Sequence, residues 1–136
     1  MRFMTLFKPG KESDAPPTQQ EIAEMGRFIE ELAREGVLLA TDGLQPSSKG
    51  AKVRISNGKF TVTDGPFTET KELIAGFWLW QVRSKEEAIE WLKRAPFEDT
   101  EVEIRQVFEA EDFGAEFTPE LREQEERLRK QLAGKK

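Results

Sequence analysis

The order of elements in this sequence predicts an α+β protein: a ferredoxin-like antiparallel sheet with its helices on one face, an extra β-hairpin and a C-terminal helix. Three observations carry the prediction. Two segments of helical period, each opened by a capping box, alternate with strand-like runs; Asn57-Gly58 joins two alternating runs in mid-chain; and the runs at 2–8 and 76–82 are apolar on both parities.

Element by element, "RFMTLFK" (2–8) sets Phe3 and Phe7 against Met4 and Leu6 and stops at Pro9-Gly10, the signature of a buried strand. A polar loop with two prolines follows. Thr18 and Glu21 form a capping box, and Ile22, Met25, Ile29, Leu32 and Ala33 recur at helical spacing until Gly36. "VLLAT" (37–41) is a second strand, ending in the turn-rich "DGLQPSSKG". Residues 52–63 form a hairpin around Asn57-Gly58, and "GFWLWQV" (76–82) is the next major strand. Ser84 and Glu87 cap a helix with Ala88, Ile89, Trp91 and Leu92 on one side, bounded by Pro96. "EVEIRQVF" (101–108) alternates, with Val102, Ile104 and Phe108 on one face. Thr118-Pro119 opens a last helix over 119–132, rich in Glu and Arg, with a thin stripe of Leu121, Leu128 and Leu132. Such a stripe stabilises a helix only by docking, for which "EDFGAEF" offers Phe113 and Phe117 as anchors and Gly114 as a bend. The expected division is a domain at 1–111 and a linker with helical extension at 112–136.

The chain of 136 residues has room for one core. Its net charge of −5, without a basic block, speaks against nucleic acid and against an anionic membrane as partners. No stretch approaches the roughly 18 apolar residues of a membrane span, and a cytoplasmic location is expected. With no cysteine and no histidine, thiolate and imidazole chemistry is excluded, so no metal site and no cofactor are expected. Two helices can cover only one sheet face, yet the strands at 2–8 and 76–82 are apolar on both. Either a homodimer packs sheet on sheet, enclosing space for a small-molecule ligand, or the C-terminal helix folds back over that face.

The stretch "VTDGPFTETKE" (62–72) followed by "GFWLWQV", "SKEEAIEWLKRAP" and "EIRQVF" closely resembles the YCII-related family, in particular its DGPFAETKE branch, with Thr68 where that branch has Ala. The resemblance runs from "RFMTLF" to about residue 110. It implies a dimeric α+β barrel of ferredoxin-like subunits, in a family often encoded beside extracytoplasmic-function sigma factors and mostly without an assigned reaction. It also implies a His-Asp pair in some members, the His on the first helix and the Asp before a Pro-aromatic pair. Here those positions hold Met25 and Ala95, so chemistry built on that pair does not transfer.

Two readings of the motif stand. In the structural one, Asp64 accepts backbone N–H groups in an Asx-type turn, Gly65 takes a positive φ, Pro66 fixes the next φ and Phe67 plugs the core. In the functional one, Asp64 is a general base partnered by Glu69, Lys71 or Glu72, or it binds a ligand together with Phe67, Thr68 and Lys71. Trp78 and Trp80, on one strand face, are further candidates for stacking on a planar ligand, with core packing as the alternative. The loop "GLQPSSKG" lacks phosphate-loop spacing and is expected to be a mobile edge. Two functions follow: a small-molecule-binding or accessory protein, with sigma-factor-linked regulation as the setting that the resemblance suggests, or a small lyase, isomerase or hydrolase using Asp64.

Overall fold

The computed structural model describes residues 1–13 and 15–134; Asp14 of the predicted loop and the last two residues of the predicted extension lie outside it. Strands β1 (Arg2–Lys8), β2 (Leu38–Gly43), β5 (Gly76–Gln81) and β6 (Glu101–Gln106) form one sheet, and β3 (Ala51–Ser56) and β4 (Lys59–Asp64) form a second. The first sheet has the order β2-β5-β1-β6 with each neighbouring pair antiparallel, which is the ferredoxin-like arrangement. Helices α1 (Gln19–Arg34) and α2 (Lys85–Leu92) form the two crossovers. Among the described residues no helix is long and apolar enough to cross a membrane.

Both helices start where local chemistry demands. Thr18 Oγ1 accepts the Glu21 N–H at 3.1 Å while the Glu21 carboxylate accepts the Thr18 N–H at 3.1 Å, closing the capping box. At α2 the Glu87 N–H donates to Ser84 Oγ at 3.1 Å, but the Glu87 carboxylate reaches one residue further back, to the Arg83 N–H. That bond, with the Arg83 guanidinium beside it, holds the Glu87 carboxyl below its ordinary pKa.

The alternation of β1 and β5 sorts the two sheet faces. Phe3, Thr5, Trp78, Trp80 and Val82 are buried, and they pack with Phe28 and Leu32 of α1 and Ala88 of α2. Phe28, absent from the predicted stripe, is the main anchor of α1, whereas Ile22 is 60% exposed: the buried line runs Met25, Phe28, Leu32, a rotation from the expected one. On the opposite face Met4, Leu6, Phe77 and Leu79 are only half-buried. A bulge between Leu38 and Ala40 interrupts β2 and leaves Leu39 exposed.

The β3–β4 ribbon turns through Asn57 (φ 52°) and Gly58 (φ 76°), both in the left-handed region, as a two-residue hairpin requires. Val53 pairs with Val62 and Ile55 with Phe60, so four large apolar side chains share one face of the ribbon. All four are more than half exposed, at 55% to 69%.

The chain divides into two compact units, Met1–Gln106 and Val107–Lys136. Strand β6 ends at Gln106, so Phe108 falls in the second unit and does not continue the face of Val102 and Ile104 as its spacing predicts. Within that unit Phe108 stacks on Phe113 (centroids 5.0 Å) and Phe113 meets Phe117 (5.3 Å), with Gly114 at φ 66° making the expected bend. Thr118 caps helix α3 (Pro119–Ala133), and Arg122 reaches back over the Phe117 ring. Leu121, Leu128 and Leu132 are 46% to 67% exposed.

Candidate functional site

The turn after β4 is built differently from its expected form. Asp64 is the last residue of β4, paired with Ala51; it is exposed, and its carboxylate takes no part in the hydrogen bonds of the turn. Those bonds come from the neighbouring loop. The Gly65 N–H donates to the Gly50 carbonyl at 3.0 Å, and the Phe67 N–H donates to Ser47 Oγ at 2.8 Å. The Gly65–Pro66 bond is cis. Glycine is required at 65 by close approach and not by a positive φ: a Cβ there would lie 1.7 Å from the Ser47 carbonyl oxygen.

Ser47 is therefore the centre of the arrangement, although its loop reads in the sequence as a mobile edge. A 3-10 turn at Ser47–Lys49 follows Pro46, and the Gly50 N–H closes it onto the Ser47 carbonyl at 2.9 Å. The Ser47 N–H donates to the Glu12 carboxylate. One serine thus joins the loop after β1 to the Asp64–Phe67 turn through two of its atoms, its backbone nitrogen and its hydroxyl oxygen. The sequence signal was present in a short Pro-Ser step, which favours a local turn with the hydroxyl free to cap another backbone group.

Glu12 leads to a solvent-open cavity of the first unit. It has a volume of about 610 Å³ and lies between the loop after β1, the residues after β2 and the segment before β5, with Pro9, Lys11, Glu12, Leu44, Pro46 and Ile74 among its lining. Backbone bonds fix two of the three walls: the Leu44 N–H donates to the Ala75 carbonyl at 2.8 Å and the Ala75 N–H to the Phe7 carbonyl at 2.9 Å. Three prolines on the first wall limit its backbone freedom. The lining is mainly apolar, with Lys11, Glu12, Ser13 and Gln45 as its polar groups.

The predicted site residues are not among those that line this cavity. Phe67 is half-buried, with the Lys52 ammonium 4.6 Å from its ring centroid; Lys52 also pairs with Glu72 at 3.0 Å. Lys52 was not a candidate, because nothing local in "AKVRI" places it beside a residue fifteen positions on. Thr68 and Glu69 are exposed. Lys71 lines a second, smaller recess of about 310 Å³ with Lys8, Thr70, Asp99 and Glu101. Asp64 and Glu69 line neither of these two recesses, and Lys71 lines only the smaller one.

Trp78 and Trp80 are fully enclosed at 0% exposure, stacked on each other at 5.3 Å with the edges of Phe7 and Phe28 against Trp78. Their rings offer no face to a ligand, which corrects the stacking expectation in favour of core packing. The Trp80 Nε1–H has no hydrogen-bond partner among the described residues. Met25 and Ala95, at the positions where the resemblance implies a His-Asp pair, both pack against this core.

Topology and site together define a small ferredoxin-like α+β domain with a loop-walled cavity at one end of its sheet. The chain belongs to the YCII-related domain family, whose model matches residues 1–111. No curated protein matches the chain.

Proposed function

We propose that this is a small-molecule-binding protein that works as a homodimer, with its ligand in the cavity between the loop after β1 and the residues after β2. The observation that carries the proposal is the cavity itself. Its volume of about 610 Å³ lies within the range of small-molecule sites, and its mainly apolar lining with a few polar groups is the composition such sites have. A dimer is supported by the sheet face opposite α1 and α2, where Met4, Leu6, Phe77 and Leu79 are only half covered. We assign the protein to the cytoplasm and to the DGPF branch of its family, with an accessory role in sigma-factor-linked regulation as the biological setting that the family suggests. The alternative, a lyase, isomerase or hydrolase using Asp64, has less support, because that carboxylate is exposed and outside both cavities.

A metabolite screen by thermal shift, run on wild type and on Ile74→Trp, tests the proposal. The tryptophan narrows the cavity at its β5 wall. A ligand held there at about 100 times its Kd stabilises the native protein by about 2.7 kcal/mol, and the variant should lose that shift. A compound that shifts both proteins equally binds elsewhere, and the cavity is then not the site.

A further inference from the structure

The β3–β4 ribbon is the least explained part of the first unit. Every residue from Ala51 to Asp64 is exposed, although the register lines up Val53, Val62, Ile55 and Phe60 on one face. Exposure rises towards the tip: Ile55 and Phe60, next to the turn, stand at 68% and 69%, against 55% and 61% for Val53 and Val62. Its base is fixed. Gly65 is bonded to Gly50, the Phe67 N–H to Ser47, and Lys52 is held between Glu72 and the Phe67 ring. A ribbon anchored at one end with an apolar face in water is marginal by itself, since two strands do not bury enough to stabilise each other.

We propose that this ribbon is a dimerisation arm whose Val53, Ile55, Phe60 and Val62 face packs on a second copy of the chain. The proposal rests on the dimer put forward above and assigns it a second contact surface. Area decides for a second copy. A stable interface needs about 800 Å² per partner, and a fully buried aliphatic or aromatic side chain supplies on the order of 100 Å². The four ribbon side chains, more than half exposed, supply about half of that area, and Met4, Leu6, Phe77 and Leu79, already half-buried on the sheet face opposite α1 and α2, add a smaller share, so the two sets together come nearer the requirement than either alone. A two-fold partner meets both at once, because each copy brings both surfaces to the contact.

The test is sedimentation velocity over a concentration series for wild type and for the double variant Ile55→Asp, Phe60→Asp, with circular dichroism to confirm that the four-stranded unit stays folded. Wild type should dimerise, and the double variant should raise the dimer Kd at least about tenfold, the loss expected for two apolar contacts. Should the variant fail to fold, limited trypsin digestion of wild type gives the same information: Lys52, Arg54 and Lys59 on the ribbon should be protected above the dimer Kd and cleaved below it. A wild type that is monomeric throughout overturns both the dimer and the arm. A wild-type dimer whose Kd is unchanged in the double variant, or whose ribbon is cleaved equally at all concentrations, overturns the arm alone. The basic residues of the ribbon would also suit an anionic surface. Sedimentation of wild type with phosphatidylserine vesicles, lost in the double variant while the dimer Kd stays the same, would likewise refute the arm.

Discussion

The four-stranded sheet and the β3–β4 ribbon each present a row of large apolar side chains on one face, yet the two rows meet opposite fates. In the sheet, Phe3, Trp78 and Trp80 are driven to between 0% and 3% exposure beneath two helices, and even Thr5 is enclosed with them. In the ribbon, the equally apolar parity stays in water. The difference shows that alternation declares a face intended for burial but does not name what buries it. Helices α1 and α2 are next to the sheet in sequence and close over it as crossovers, whereas nothing of the kind follows the ribbon before β5.

The sharpest way to break this contrast is to truncate an aromatic residue on each side of it. Trp78→Ala should cost about 3–5 kcal/mol in urea unfolding, because a cavity opens in a closed core. Phe60→Ala, measured at concentrations where the chain is monomeric, should stay within about 0.5 kcal/mol of wild type, as an exposed site does. Comparable losses at the two positions would mean that the ribbon is buried in the monomer and that the contrast is false.

Next in size is the junction between the two regions. Gly65→Ala forces a Cβ into the Ser47 carbonyl, where backbone must move, and a cost of about 1–3 kcal/mol is expected from overpacking. The same substitution should weaken any ligand of the main cavity, since Ser47 also holds Glu12 of its wall. A neutral Gly65→Ala in both stability and binding would show the contact to be relaxed.

A smaller effect separates Ser47 from Asp64. Ser47→Ala leaves the Phe67 N–H without its acceptor and should cost about 1–2 kcal/mol. Asp64→Asn and Asp64→Ala should both lie within about 0.5 kcal/mol of wild type, because no bond of the turn uses the carboxylate. A large loss for Asp64→Ala that Asn rescues would return the turn to its Asx form.

The smallest effect is electrostatic and sits at the sheet edge. Lys8, 2.6 Å from Glu103, and then Arg105 hold the Glu103 carboxyl below its ordinary pKa. A depressed folded-state pKa contributes stability above the unfolded value, which is lost as pH falls through the folded one. Wild type should therefore exceed Glu103→Gln slightly at neutral pH, less so in high salt, and the gap should close in acid. A gap that widens on acidification would reverse the assigned sign.

Local chemistry made much of the architecture legible in the sequence. The caps at Thr18, Ser84 and Thr118, the Asn57-Gly58 turn and the bend at Gly114 are each decided within a few residues, so they were readable without the rest of the chain. The strand order followed from the alternation of strands and helices together with the short connections between them. What only the tertiary structure decided are the contacts between distant segments. Ser47 bonds a residue twenty positions on and another thirty-five positions back, Lys52 reaches Phe67 and Glu72, and three separate loops line the cavity. A side chain's local pattern states its capacity to donate, accept or be buried; which distant group meets that capacity depends on how the sheet brings its loops together. For the same reason the motif around Asp64 is tied through its backbone to the loop at Ser47 and Gly50, a contact that its own spacing does not declare, while the tryptophans after it pack in the core.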